Sequence, residues 1–211
     1  MGFWASFFKY LASVFAFAAL IFQFFTLLGN TYNVAFIRDL YLARLTKNND
    51  KFIDFGLWNA CTGNNGTVSH CDTPQPAFVW TDATNINDFV SGLNGYDKAF
   101  LANFILYWCG FALTLFAFCF SVSTHFGRIT DSMAAFSTLL AFLTLLVVFC
   151  IMIVLAYKGI NNANAIDEAI DGSIGPATWC TLASMCCLFL ATIYYCLGCW
   201  LRKKNAKYTK V

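Results

Sequence analysis

Four stretches of this 211-residue chain contain no Asp, Glu, Lys, Arg or His: Tyr10–Leu28, Phe100–Val122, Met133–Tyr157 and Ala177–Leu201. Each reaches the roughly 20 apolar residues that span a hydrocarbon core of about 30 Å. In lipid such a segment satisfies its backbone polar groups only by winding into a helix. Composition agrees, with 59% hydrophobic and 11% charged residues, against about 45–50% and about 25% in soluble globular chains. A soluble domain could not be covered with so little polar side chain. The first stretch is longer than the roughly 7–15-residue core of a cleaved signal peptide, and no A-x-A site follows it. It reads as an uncleaved signal anchor.

Lys and Arg outside the spans set the orientation. The tail 202–211 holds Arg202, Lys203, Lys204, Lys207 and Lys210 and no acid, which predicts a cytosolic C-terminus. Four spans then return residues 1–9 to the same side. The expected order is a cytosolic N-terminus 1–9, span 10–28, extracellular loop domain 29–99, span 100–122 and cytosolic loop 123–132. Span 133–157, extracellular loop 158–176, span 177–201 and the basic cytosolic tail 202–211 complete it. Ten of the eleven acids fall on the outer side. The five Lys and Arg of the long loop do not oppose this, because loops of about that length translocate largely regardless of charge.

Cys61 and Cys71 are the only two of ten cysteines outside the spans. Both face the oxidising side, which predicts a disulfide. Between them Asn65-Gly66-Thr67 forms an N-glycosylation sequon, so Asn65 is a candidate glycan site. Two strand-like runs, Phe36–Thr46 and Lys51–Cys61, flank Lys47-Asn48-Asn49-Asp50, a turn-rich joint suited to a hairpin. Trp58, three residues before Cys61, can cover the disulfide and dip its indole toward the lipid interface, or simply pack in a small disulfide domain.

Gly56-Leu57-Trp58, two residues, Cys61, nine residues and Cys71, placed in the first outer loop of a four-span chain, resemble the signature of the claudin and peripheral-myelin-protein superfamily. Leu40-Tyr41-Leu42, Phe55-Gly56-Leu57-Trp58 and a helical approach over Ile86–Lys98 are similar to its fungal Sur-seven/PalI branch. Claudins carry a further Trp early in this loop, where this chain has Asn30-Thr31-Tyr32, and their basic residue at the second span corresponds at best to Lys98. The resemblance implies an all-α integral membrane protein, a left-handed four-transmembrane-helix bundle with a small disulfide-bonded extracellular β-sheet. Gly56, Leu57, Trp58, Cys61 and Cys71 are its motif residues.

The spans read as structural. Intramembrane charge is the usual mark of an ion path or proton relay, and the four stretches have none. His70 lies in the outer loop and His125 at the cytosolic edge, so they share no metal or active site. No metal, cofactor or catalytic residue is expected, and the chain reads as a non-enzyme. Small residues recur at helical spacing: Ala12, Ala16 and Ala19; Gly110, Thr114, Ala117 and Ser121; Ala134, Thr138 and Ala141; Ala183, Cys187 and Ala191. Such stripes let helices approach closely, chiefly within the bundle. Gln23 should bond a neighbouring helix. Cys109, Cys119, Cys150, Cys180, Cys186 and Cys187 read as small packing residues.

Cys196 and Cys199 differ, since they sit beside the basic tail and are candidates for S-palmitoylation as well as packing. Arg202, Lys203, Lys204, Lys207 and Lys210 are both a topology anchor and candidate contacts for anionic lipid, each worth about 1 kcal/mol near an acidic leaflet. Met1-Gly2-Phe3-Trp4-Ala5-Ser6 fits a myristoylation pattern in form only; Trp4 and Trp200 serve better as interfacial anchors. Residues 158–176 lack the ligand spacing of a Ca²⁺ loop and read as a solvated turn. The resemblance implies a fungal plasma-membrane tetraspan that organises lateral domains, the eisosome-associated compartment, and supports cell-wall integrity or stress response. Its partners would be membrane lipids (anionic or sphingolipid), other plasma-membrane proteins or further copies of itself, and no nucleic acid. The alternative is an accessory subunit of a transporter, a channel or a PalI-like pH-signalling complex.

Overall fold

Where the chain leaves one apolar stretch and enters the next, its backbone must find new hydrogen-bond partners, and a five-stranded sheet supplies many of them. The computed structural model describes residues 2–31, 34, 36–48, 50–83, 95–123 and 128–208, with 2–5, 128–131, 166, 199 and 201–208 described in backbone only. The helices are α1 (Gly2–Leu28), α2 (Asp97–Ser123), α3 (Arg128–Ile166) and α4 (Pro176–Tyr208). The strands are β1 (Ala43–Lys47), β2 (Lys51–Phe55), β3 (Ala60–Asn64), β4 (Thr67–Cys71) and β5 (Ile170–Ile174). All four helices are long and apolar enough to cross a membrane.

The chain forms two compact units, each built from parts of all four helices. Residues 1–23, 108–146 and 182–211 make the first, a helical bundle. Its contacts are small. Ala12, Ala16 and Ala19 of α1, Ala117 of α2, Ala134 and Ala141 of α3 and Ala191 of α4 are fully buried. Five of these seven fall into two clusters, Ala12 with Ala134, Ala191 and Tyr195, and Ala19 with Ala141, Leu145 and Leu188. At Gly110 a Cβ would come within 3.0 Å of Leu145 Cδ2, so the α2 backbone passes close to α3. Three of the four small-residue stripes therefore face inward as expected. The fourth does not: Ala183 and Cys187 are half-buried, and α4 turns Ser184, Leu188 and Ala191 inward instead. Ser184 on that row makes a polar contact, described below, which fixes the rotation of α4.

Residues 24–107 and 147–181 make the second unit, which holds the sheet. Its strand order is β4-β3-β2-β1-β5, antiparallel throughout. The hairpin expected at Lys47–Asp50 is present, with Lys47 opposite Lys51 and Asn48 in the left-handed region at φ 53. Both flanking runs are shorter than expected. Residues 36–39 turn rather than extend, because Phe36 adopts φ 79 and the Asn30 N–H must reach the Ile37 carbonyl at 2.9 Å. The second run breaks after Phe55, where Gly56 donates to the Asn59 carbonyl at 2.8 Å and closes a tight reversal into β3. Asn65 and Gly66, at φ 50 and 74, form the two-residue turn between β3 and β4, the conformation that favours Asn-Gly in hairpins.

The larger correction concerns residues 158–176, expected as a solvated loop. α3 runs on to Ile166, and 170–174 pair with β1 as the sheet's fifth strand. Ile170 is buried, and Gly172 lies so close to Ile160 of α3 that a Cβ would collide with that side chain. Pro176 then opens α4, a position where its missing N–H costs nothing. Of the helical approach expected over Ile86–Lys98, residues 86–94 lie outside the described residues, and helix begins at Asp97. At the other end α4 continues through 202–208, so the basic tail begins as helix.

Candidate functional site: the tryptophan clasp and the disulfide-bonded sheet

A helix ends with carbonyls that have no partner within it. At the end of α1 a side chain from the loop domain meets this need for one carbonyl, and the residue after the helix ties its end to the sheet. Trp58 projects from the β2–β3 reversal, and its Nε1–H donates to the Leu27 carbonyl at 2.6 Å. Its ring meets Phe104 of α2 edge to face, with centroids 4.9 Å apart. Asn30, just beyond α1, takes φ 58, the left-handed cap conformation that Asn tolerates. Its Nδ2 donates to the Asp54 carbonyl on β2 at 3.1 Å.

The glycine before Leu57 and Trp58 has a reason in this geometry. A Cβ on Gly56 would stand 2.9 Å from Asn30 Cβ and 3.1 Å from the Asn59 carbonyl oxygen. Only a residue without a side chain lets the turn settle against the helix cap. Trp80 backs the same turn: its Nε1–H donates to the Gly56 carbonyl at 3.3 Å, and its ring stacks on Phe55 at 4.7 Å. Leu57 is buried. The motif is thus a clasp holding β2 and β3 to the ends of α1 and α2. Of the two readings of Trp58, a cover for the disulfide with its indole dipped toward lipid or a packed aromatic, the geometry favours the second: the ring packs on Phe104 and the indole N–H bonds α1.

Cys61 and Cys71 stand directly opposite each other on β3 and β4 and are disulfide-bonded, as expected. One irregularity in register, between Thr62 and Gly63, keeps this edge from being regular. Edge strands with such irregularities resist pairing with foreign strands. His70 on β4 is exposed, with Nε2 3.8 Å from Asp72 Oδ1. Asn65 is exposed at the β3–β4 tip, where Thr67 Oγ1 donates to the Asn64 carbonyl at 2.8 Å.

In the same cross-sheet row as the disulfide lies an ion pair that sequence reading missed. Arg44 of β1 donates from Nε and Nη2 to both carboxylate oxygens of Asp54 on β2, at 2.5 and 2.7 Å. The guanidinium also lies 4.3 Å from the Tyr41 ring and 4.7 Å from the Phe52 ring. Burial pushes the Asp54 carboxyl above the ordinary carboxylate range, while the bond from Arg44 pulls the other way. The same bond raises the Arg44 guanidinium, which stays charged. Arg and Asp two strands' length apart in sequence carry no pairing signal until the register is known.

Polar groups in the bundle are used internally. Gln23 of α1 is fully buried and donates from Nε2 to Thr114 Oγ1 of α2 at 2.9 Å and Ser184 Oγ of α4 at 3.0 Å. Those hydroxyls donate in turn to the Gly110 and Ala19 carbonyls at 2.8 and 3.1 Å. One amide ties three helices, which is the role expected for it. Ser13 of α1 and Ser121 of α2 share a second hydroxyl contact.

Of the free cysteines, Cys109, Cys119, Cys150, Cys186 and Cys196 are exposed, and Cys180 and Cys187 are half-buried. This corrects the packing role expected of the first four of these five; in lipid an outward thiol loses nothing by facing a hydrocarbon neighbour. The Cys199 side chain and those of Arg202, Lys203, Lys204 and Lys207 lie outside the described residues, as does Lys210 entirely. Trp200 is exposed, while the Trp4 side chain and His125 are outside the description. Among the described residues no group of three or more His, Cys, Asp and Glu side chains is placed to hold a metal.

Four apolar helices joined to a small antiparallel sheet with one disulfide define a multi-pass membrane protein of the claudin-like tetraspan type. Comparison with family models narrows the class: the model of the SUR7/PalI family matches residues 8–194, and the chain belongs to that family. None of the curated proteins compared with it matches.

Proposed function

We propose that this protein is a non-enzymatic fungal plasma-membrane tetraspan that organises lateral membrane domains, the eisosome-associated compartment, and supports cell-wall integrity or stress response. Family membership over 8–194 carries the reading. The chemistry of the described residues supports it. The amide of Gln23 is consumed in tying α1, α2 and α4 together, and the tryptophans of the loop domain clamp helix ends and turns. Groups bound in this way favour a stiff scaffold over a moving transport cycle.

In this reading both termini are cytosolic and the sheet faces the wall, with Asn65 open to glycosylation. The basic cluster at the end of α4, Arg202 to Lys210, holds anionic lipid, and acyl chains on Cys196 and Cys199 strengthen its hold on the inner leaflet. The exposed thiol of Cys196 suits that modification. Gly56, Leu57, Trp58, Cys61 and Cys71 maintain the outer domain and perform no chemistry.

The test is a fluorescent C-terminal fusion imaged at native expression level in living fungal cells. Static plasma-membrane patches that recover slowly after photobleaching are expected. Uniform surface signal, or signal confined to internal membranes, would overturn the reading and turn attention to a stoichiometric partner of an accessory subunit.

A further inference from the structure

A small cavity in the sheet-bearing unit has room for about one hydroxyl-sized group, about 10 Å³. Its walls are apolar, with Leu57 and Phe78 from the loop domain, Phe100 from α2, and Met152 and Leu155 from α3. One polar side chain lines it. Asn103 of α2 is 4% exposed, and its Oδ1 has no hydrogen-bond partner among the described residues. A buried carboxamide oxygen without a donor is costly.

The neighbouring polar groups are already engaged. The Gly56 carbonyl accepts from Trp80 Nε1 at 3.3 Å, and the Leu42 carbonyl accepts from the Gly175 N–H at 2.8 Å and Thr178 Oγ1 at 3.0 Å. A lone water needs about two to four polar partners, and Asn103 Oδ1 is the one side-chain acceptor of this lining without a donor among the described residues. No cationic side chain lines the space, which disfavours a phosphate or carboxylate headgroup. A hydroxyl needs only the one strong bond when the rest of its molecule is apolar. It also suits either orientation of the amide, because it both donates and accepts.

The apolar body has a route. Leu101 and Ile105, beside Phe100 and Asn103 on α2, and Val154, beside Leu155 on α3, are about half exposed, within helices apolar enough to cross a membrane. We propose that this cavity receives the hydroxyl of a membrane lipid alcohol, with Asn103 Oδ1 accepting its hydrogen bond and the lipid's apolar body lying along the outward faces of α2 and α3. The inference rests on membrane embedding alone and is independent of the domain-organising role.

The experiment uses the full chain in native membranes with two clickable photoreactive probes, a sterol and a diacylglycerol, each paired with its methyl ether. At least one alcohol should label peptides containing 100–103 or 152–155, and unlabelled alcohol should compete. Methylation of the hydroxyl, or Asn103→Leu, should reduce that labelling about fivefold, the loss expected for one hydrogen bond. Which alcohol labels identifies the source. Leu155→Phe, which fills the space and leaves Asn103 in place, should also block labelling, and an intact Cys61–Cys71 disulfide on a non-reducing gel verifies the fold of each variant. Equal labelling by alcohol and ether, labelling that survives both substitutions, or no labelling at these peptides would overturn the proposal. Its failure would leave the imaging result untouched.

Discussion

Arg44 illustrates how much a single residue's role depends on register. Alone in sequence it is one of five positive charges in a long loop; in the sheet it faces Asp54 across β1 and β2 with two hydrogen bonds and two aromatic rings around it. Asp54 is almost completely buried, whereas Arg44 keeps about a third of its side chain in water. Removing Arg44 strands a buried carboxylate. Arg44→Met should therefore cost about 3 kcal/mol, the lower end of the range for breaking a buried pair. Arg44→Met combined with Asp54→Leu should recover most of that loss, because no charge is left behind. Thermal unfolding of the two variants in detergent measures the difference, and equal losses would show that packing, not charge, dominates at this position.

At the scale of elements, β5 is a strand that no local pattern announced. Its attachment is reinforced just ahead of it. The Ala169 N–H donates to Asp167 Oδ1 at 3.0 Å, and Lys47 Nζ of β1 lies 3.1 Å from Oδ2. These contacts hold the Asp167 carboxyl below the usual carboxylate range, with the Ala169 bond the larger cause. A carboxyl lowered on folding adds stability above its unfolded pKa of about 3.9. That contribution fades as pH falls through the folded value. Wild type should exceed Asp167→Asn in thermal stability at neutral pH, and the gap should close in acid below about pH 4. A gap that persists unchanged there would mean the side chain acts through packing alone. The β1–β2 hairpin, by contrast, was legible in Lys47–Asp50 because turn chemistry is local, whereas Asn65-Gly66, read only as part of a glycosylation sequon, turned out to be the β3–β4 turn. β1 and β2 nonetheless came out shorter than their hydrophobic runs, since Phe36–Asp39 and Gly56–Asn59 serve the helix cap and the clasp.

For the molecule as a whole, the topology proposal makes two chemical expectations, one for each side. If the sheet enters the secretory lumen, a glycosidase-sensitive shift should appear in wild type and vanish in Asn65→Gln. If the end of α4 is cytosolic, acyl exchange should yield a mass shift that a Cys196→Ser/Cys199→Ser double variant abolishes. A glycan together with a non-acylated tail would keep the orientation and remove the acyl anchor. Absence of both in a correctly localised protein would remove the chemical support for this side assignment. The polar tie within the bundle bears on the proposed function too. Replacing Gln23 by Leu should cost about 1–2 kcal/mol of detergent stability, two interhelical hydrogen bonds at the modest values found in membrane proteins. Thr114 and Ser184 keep their carbonyl partners, so a much larger loss would point to a role for the amide beyond tying helices.

The sequence by itself determined the four membrane-length helices, the disulfide, the first hairpin and the motif that marks the family. Each is written in uncharged length, in cysteine placement or in adjacent turn residues, and each needs no knowledge of distant partners. Tertiary structure alone decided what Trp58 bonds, why Gly56 must lack a side chain beside Asn30, that Arg44 pairs with Asp54, and that residues 170–174 complete the sheet. Each of these depends on register or on contact between separate segments, so its energy exists only once strands and helix ends have been brought into place. Asn30 shows the limit most plainly: in sequence it was a missing tryptophan, and in the fold it is the buried cap on which the first helix and the second strand meet.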